Sequence, residues 1–199
     1  MSPVAGLVLA AGAGRRYGRP KALVQWQGRW LVDRAAGTLR AGGCDPVVVV
    51  LGAAAGTVRR VARLAGCRVT ENPQWDTGMG SSLRAGLAAL ADPGPVAVVV
   101  LLVDLPGVGP EAVRRVAAGA GPDALVTAGY RDGRWGHPVL LGRNHWTGVA
   151  ELAVGDTGAR PYLTAHSAAV RVVSCADVAD DWDLDRPCGK SGHTIAGDG

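Results

Sequence analysis

Short β-branched apolar runs alternate along the chain with segments whose apolar residues recur at helical spacing. The runs Val4–Leu9, Pro46–Leu51, Arg68–Glu71, Val96–Val103, Ala124–Ala128, Pro138–Leu141 and Val170–Ser174 read as strands. Several are valine-rich on both faces, as in parallel strands covered by helices above and below. Between them, Trp30–Ala41 places Leu31, Ala35 and Leu39 on one face. Thr57–Ala65 turns Val58, Val61, Ala62 and Ala65 inward and Arg59, Arg60 and Arg63 outward. Ser81–Ala91 and Glu111–Ala118 follow the same rule, with Glu111 suited to a helix's first turn, where a carboxylate meets the positive end of the dipole. The βαβαβ order predicts an α/β fold: one Rossmann-like domain, a mainly parallel twisted sheet, helices on both faces and right-handed crossovers. At 199 residues the chain fits a single domain, read as 1–187, followed by a poorly ordered tail, 188–199.

Composition narrows the function. The hydrophobic fraction of 48% is ample for a core, and the net charge of +4 favours an anionic ligand. The arginines are scattered, however: Arg15 and Arg16, Arg59 and Arg60, and Arg114 and Arg115 belong to different predicted elements. Without a basic stripe interleaved with aromatics, the charge points to a small phosphorylated ligand and away from nucleic acid. Cys44, Cys67, Cys175 and Cys188 are widely spaced and form no C-x-x-C pair, which argues against a zinc site or disulfide framework. The longest uncharged apolar run, Val96–Val103, is too short to cross a bilayer, and the apolar N-terminus lacks the leading positive charge of a signal peptide. A soluble, cytoplasmic protein with no membrane partner is expected.

The candidate chemistry starts at "LAAGAGRRYGRPKAL", Leu9 to Leu23. It holds Lys21, one of two lysines in a chain with nineteen arginines. Glycine-rich turns after a first strand cradle phosphates, because they expose backbone N–H groups and let the ligand approach closely. A P-loop requires G-x-x-x-x-G-K-[ST], but Ala22 follows Lys21 and supplies no hydroxyl. A dinucleotide fingerprint requires G-x-G-x-x-G and an acid ending the second strand. Here Gly18 comes one residue late, and "VVVVLGAAAG" carries no carboxylate. Lysine differs from arginine as a compact point charge on a flexible stem, suited to sit between phosphates.

The pattern LAAG-x-G-x-R-x-G-x-P-K matches along its length and resembles the signature of the MobA-like nucleotidyltransferases, which include the molybdenum-cofactor cytidylyl- and guanylyltransferases. Tyr17 departs from it, where the family has an aliphatic residue or methionine, and its ring is expected under the loop. "ENPQWDTGMGSSLRAGL", Glu71 to Leu87, resembles the second motif of that family. Asp104 ends the uncharged strand in "VVVLLVDLPGV" and so stands at the same sheet edge as the loop. "DLDRP" resembles a late D-x-D-T-P segment, with Arg186 in place of threonine. "GHPVLLGRNHW" and "GDTGAR" resemble the cytidylyltransferase branch and are expected to line the acceptor side.

The resemblance implies roles. Leu9, Ala10, Ala11, Gly12, Gly14, Lys21, Asn72 and Ser82 would bind the nucleotide, with Asn72 shaping the floor and Ser82 touching the base. For Ser81 or Ser82, capping the following helix is an equal alternative. Arg16, Lys21 and Asp104 would be catalytic. Asp104 would hold Mg²⁺, with Asp185 as a second ligand; a merely surface acidic run with Asp180 and Asp181 is the alternative for Asp185. His137 and Arg160 would contact the acceptor, and His145 would belong to a helix face. The implied reaction transfers CMP from CTP to the terminal phosphate of a molybdopterin-type acceptor, with a molybdoenzyme as recipient of the product. Ala11, where guanylyltransferases carry glycine, favours CTP over GTP. Other phosphorylated acceptors (a sugar phosphate, methylerythritol phosphate, phospholactate), a non-catalytic nucleotide-binding regulator and an NAD(P)-dependent oxidoreductase are the alternatives.

Overall fold

The protein is described by a computed structural model covering residues 4–91 and 94–184. The chain begins with β1 (Val4–Ala10), a hairpin of β2 (Gln25–Trp26) and β3 (Arg29–Trp30), α1 (Leu31–Ala41), β4 (Val47–Leu51) and α2 (Ala55–Val61). Next come β5 (Arg68–Glu71), α3 (Met79–Ala89), β6 (Ala97–Leu102), α4 (Pro110–Ala117) and β7 (Leu125–Gly129). It closes with β8 (Trp135–Gly142), α5 (Trp146–Leu152), α6 (Arg160–Ala165) and β9 (Val170–Ser174). No helix among the described residues is long and apolar enough to cross a membrane.

Seven strands form one sheet in the order β5-β4-β1-β6-β8-β7-β9. The pairs β1–β4, β1–β6, β4–β5 and β7–β9 are parallel, as the valine-rich runs predict. β8 is the exception and runs antiparallel to both β6 and β7. The cause is connection length: a single turn of 3₁₀-helix, Arg131–Gly133, joins β7 to β8, and a parallel crossover needs a dozen residues or more. Tight reversal also lengthens β8, which starts at Trp135 and not at Pro138.

Side chains alternate across the sheet with period two. Val8, Val47, Val49, Val99 and Leu101 pack with Leu31, Leu39, Val113 and Val116 of α1 and α4. Leu7, Leu9, Val48, Val98 and Val100 pack with Leu83, Leu87, Val149 and Leu163 of α3, α5 and α6. Both faces are therefore covered, and each buried Val or Leu contributes roughly 1.5–3 kcal/mol.

One predicted helix is cut short. α2 ends at Val61, only Val58 is buried in it, and Val61 and Ala65 are exposed. The backbone N–H of Arg63, which would extend the helix, instead donates to the Asp33 carboxylate of α1 at 2.7 Å.

The chain leaves β1 toward β4 on one side and reaches β6 on the other. This reversal opens a crevice beyond the carboxyl ends of β1 and β6, where open α/β sheets bind ligands. The glycine loop and Asp104 meet there.

Candidate functional site

The loop after β1 is shaped by Gly14. Its φ is +61°, and a Cβ there would lie 1.9 Å from the Arg19 carbonyl oxygen, so only glycine fits. The N–H groups of Tyr17 and Gly18 both donate to the Gly14 carbonyl, at 2.9 and 2.8 Å. A Cβ on Gly12, in contrast, would meet nothing within 4 Å; that residue faces open cleft. Tyr17 is half-buried and packs against the core cluster that also holds Ala22 and Leu31. The loop ends in a 3₁₀ turn, Lys21–Leu23, anchored by buried Ala22.

That turn delivers Lys21 to Asp104. Lys21 Nζ lies 2.7 Å from Asp104 Oδ2, and the two side chains are only 15% and 19% exposed. The sequence gives these residues separate tasks; the fold makes them partners. The segment after Asp104 is fixed from two further directions. Arg34 of α1 donates through Nε and Nη2 to the Pro106 carbonyl, at 3.0 and 2.6 Å. The chain after β9 returns across the sheet, where the N–H of Asp180 donates to the Gly107 carbonyl and that of Leu184 to the Asp104 carbonyl, at 3.2 and 3.1 Å. Leu184 is buried in the core, so this return strap is pinned beside the carboxylate.

Two cavities meet at Asp104. The first, about 650 Å³, is lined by Leu9, Ala11, Gly12, Gly14, Arg16, Lys21, Ser82 and Asp104 among others. Of the expected nucleotide residues, Ala10 and Asn72 are absent from this wall. Ala10 is the last residue of β1 and faces the core. Asn72 is a brace behind the wall: its Nδ2 donates to Ser81 Oγ and Ser82 Oγ at 2.7 and 3.1 Å, and its Oδ1 accepts the Gln74 N–H. The capping reading of Ser81 and Ser82 fails, because α3 begins at Met79 with Gly78 as its N-cap. Gly78 lets the helix start early by a close approach: a Cβ there would sit 2.3 Å from the Gly155 backbone, and one on Gly80 2.3 Å from the Ala153 carbonyl. Arg84 donates to that same Ala153 carbonyl.

This packing corrects one expectation. Gly155 and Asp156, from the "GDTGAR" stretch expected on the acceptor side, open on the first cavity beside Ser82. Trp75, Asp76 and Met79 also line it and were not singled out in the sequence. The glycine at every second position in "GMG" was the available signal for a backbone lying on the helix start.

The second cavity, about 640 Å³, shares Leu102 and Asp104 with the first and brings together His137, Arg160, Arg134, Trp135, Asp181 and Asp183. His137 and Arg160, both expected on the acceptor side, line this cavity together with Asp104. Gly136 joins His137 on this wall, and the rest of the stretch from Pro138 to Trp146 does not reach the cavity; Leu140 and Leu141 are core residues of β8. His145 lies in a 3₁₀ turn ahead of α5, its ring nitrogens 2.9 Å from Tyr162 Oη and 3.0 Å from the Asp123 carbonyl.

His137 Nδ1 is 3.1 Å from the Val100 carbonyl, which fixes the neutral tautomer with Nδ1–H donating and Nε2 as acceptor. Burial pushes its pKa below the ordinary histidine value; the Val100 carbonyl and Asp104 oppose this, and Arg160 adds to it. Below the ordinary value, near 6.5, the unfolded chain takes up a proton that the folded chain resists, so this stability is present at neutral pH and is lost as pH falls. Urea titrations from pH 7.5 to 5.5 should show a steeper loss of stability for the wild type than for His137→Gln. Parallel curves would remove His137 as the cause.

Asp185 lies outside the described residues. Among those described, no three His, Cys, Asp or Glu side chains are grouped so that they could together hold a metal ion. The carboxylates of Asp104 and Asp183 border one cavity, a donor set of hard oxygens. That fits a cation such as Mg²⁺, which takes one or two carboxylates and completes its shell with phosphate oxygens and water.

Residues 6–170 match the MobA-like NTP transferase domain. The chain is 40% identical over 189 residues to nicotine blue oxidoreductase of Paenarthrobacter nicotinovorans, covering 92% of each. It is 36% identical over 110 residues to a probable molybdenum cofactor guanylyltransferase of Opitutus terrae, covering 54% of this chain and 50% of that one. Among solved structures, the manganese complex of Rv0371c from Mycobacterium tuberculosis superposes with a TM-score of 0.72 at 28% identity, covering 87% of this chain and 88% of the other.

Proposed function

The chain belongs to the MobA-like NTP transferase family, and from that premise we propose that it transfers CMP from CTP to the terminal phosphate of a molybdopterin-type acceptor. The observation that carries this reading is the meeting of two cavities at one Lys21–Asp104 pair. A nucleoside triphosphate in the first and a phosphorylated acceptor in the second would bring their reacting atoms to the same carboxylate.

An acceptor phosphate oxygen attacks the α-phosphorus of the nucleotide, a P–O bond forms, and the bond to the bridging oxygen breaks to release pyrophosphate. A phosphomonoester has its second pKa near ~6, so the attacking oxygen is already ionised at neutral pH and no general base is needed. Positioning and charge neutralisation carry the rate, as in phosphoryl transfer generally. The loop at Gly12 and Gly14 offers backbone amides to the triphosphate; Arg16 and Lys21 offset its charge, with Lys21 nearest the α-phosphate. Asp104 is the carboxylate for Mg²⁺, with Asp185 as second ligand, and the manganese complex of the Mycobacterium relative supports a divalent cation in this fold. When bound, that ion neutralises phosphate charge. Arg160 and His137 meet the acceptor, and Ala11 favours the smaller base. The reaction would run in the cytoplasm and pass its product to a molybdoenzyme.

A pyrophosphate-release assay with Mg²⁺ tests the proposal by crossing CTP, GTP and UTP with molybdopterin and sugar-phosphate acceptors. Release with CTP and molybdopterin is expected. Release with GTP instead moves the base assignment toward the guanylyltransferase relatives, and release only with a sugar phosphate moves the acceptor. Nucleotide binding without any release marks a regulator.

The similarity to nicotine blue oxidoreductase favours a second reading, in which the chain is an oxidoreductase. Against dinucleotide binding, β4 ends at Leu51 and continues through Gly52 and Ala53 without a ribose-binding carboxylate. Thermal stabilisation by NAD(P)H and not by CTP with Mg²⁺ would select this second reading.

A further inference from the structure

The second cavity carries an aromatic side chain that the proposed transfer leaves unused. Trp135 opens β8 and remains 38% exposed on the wall that also holds Asp104, His137, Arg134 and Arg160. The other tryptophans have evident packing work. Trp146 is buried and donates to the Leu141 carbonyl; Trp26 and Trp182 meet edge to face at 5.3 Å; Trp30 packs against the core; Trp75 covers Gly52. Trp135 differs because its cross-strand partner is Gly129, which has no side chain to lay against the indole. Among the described residues, no other ring stacks on it. An exposed indole in a concave pocket is a platform for a flat π-system, and this one shares its lining with Arg134, Arg160 and the carboxylates of Asp104, Asp181 and Asp183.

We infer that Trp135 is the specificity-determining residue of the second cavity, stacking on a flat heteroaromatic ring of a ligand whose anionic group is met by Arg160. The inference rests on reading this cavity as the acceptor site. It adds that the acceptor is selected for a planar ring and not for its phosphate alone. Arg134 is tied to Asp181 at 3.1 Å at the same rim, which leaves Arg160, at the start of α6, as the cation assigned to the anion. A saturated sugar phosphate offers the charge but no face for the indole.

Binding alone tests this, apart from any turnover. The probes are pterin-6-carboxylate, flat and anionic, and glucose 1-phosphate, anionic without a flat ring, each titrated calorimetrically into the full chain. The wild type should prefer the pterin, and Trp135→Ala should weaken it roughly 10- to 100-fold, the range that alanine substitution gives for a ring stacked on an aromatic side chain. Trp135→Phe should recover most of that loss, and glucose 1-phosphate should bind all three proteins alike. CTP·Mg²⁺ binding should be unchanged in both variants, which also reports that they fold. Equal pterin affinity in wild type and Trp135→Ala would overturn the inference, as would a wild type that binds the sugar phosphate as well as the pterin. Absence of pyrophosphate release in the earlier assay would remove nucleotidyl transfer without touching this result.

Discussion

Asp104→Asn should lower pyrophosphate release by about 10²–10³-fold or more, the typical consequence of removing one preorganised electrostatic contact from a transfer site. The amide keeps the size of the side chain and can still accept from Lys21, so the sheet edge should fold as before. Asp104→Ala should lose as much activity and some stability besides, because it removes the 2.7 Å charged hydrogen bond between two mostly buried side chains. A hydrogen bond to a charged group contributes about 1.5–3 kcal/mol. Paired activity and urea-unfolding measurements separate the effects: the asparagine variant should report chemistry alone. Turnover near the wild-type level in Asp104→Asn would withdraw the carboxylate from the reaction.

Lys21→Arg is the second large effect, and it asks what the lysine is for. If Lys21 serves only to pair with Asp104, arginine should do as well, since a guanidinium makes a better fork for a carboxylate. If the ammonium must also reach phosphate, the planar fork is the wrong shape at the end of a tight 3₁₀ turn anchored by buried Ala22. We expect a loss on the order of 10–10²-fold in kcat for Lys21→Arg and up to about 10³-fold for Lys21→Ala. Full activity in the arginine variant would reduce Lys21 to a structural partner.

The sequence announced most of the parallel sheet, because buried strands need apolar side chains on both faces, and the runs at Val47–Leu51 and Ala97–Leu102 have nothing else. It hid β8's direction, because antiparallel pairing is decided by the length of the Arg131–Gly133 connection and not by the strand's own composition. The β2–β3 hairpin was illegible for a related reason: two-residue strands show no period, and its turn uses Gln27 at φ +50° where Asn or Asp would have signalled it. In the site, Asp104 stood out because a charge is rare at the end of an apolar run, and the glycine loop stood out because it carries Lys21 in a chain with only two lysines. Asn72 was expected to shape the floor of the nucleotide site; it lies behind the wall of the first cavity, and its brace against two serine hydroxyls is a tertiary contact between β5's exit and α3 that the sequence does not show. The place of Asp156 beside Ser82 was not legible, because the contact of its loop with Gly78 spans a long stretch of chain. Trp135 carried no signal at all until β8 was seen to start there.

The sharing of Asp104 by both cavities has a kinetic consequence. With the donor in one cavity and the acceptor in the other, as proposed, both would occupy the molecule at the same time beside one carboxylate, so the proposed reaction would need no covalent nucleotidyl-enzyme stage. The α-phosphorus would pass between the substrates in a single displacement, its configuration inverted once, and neither substrate would have to leave before the other arrived.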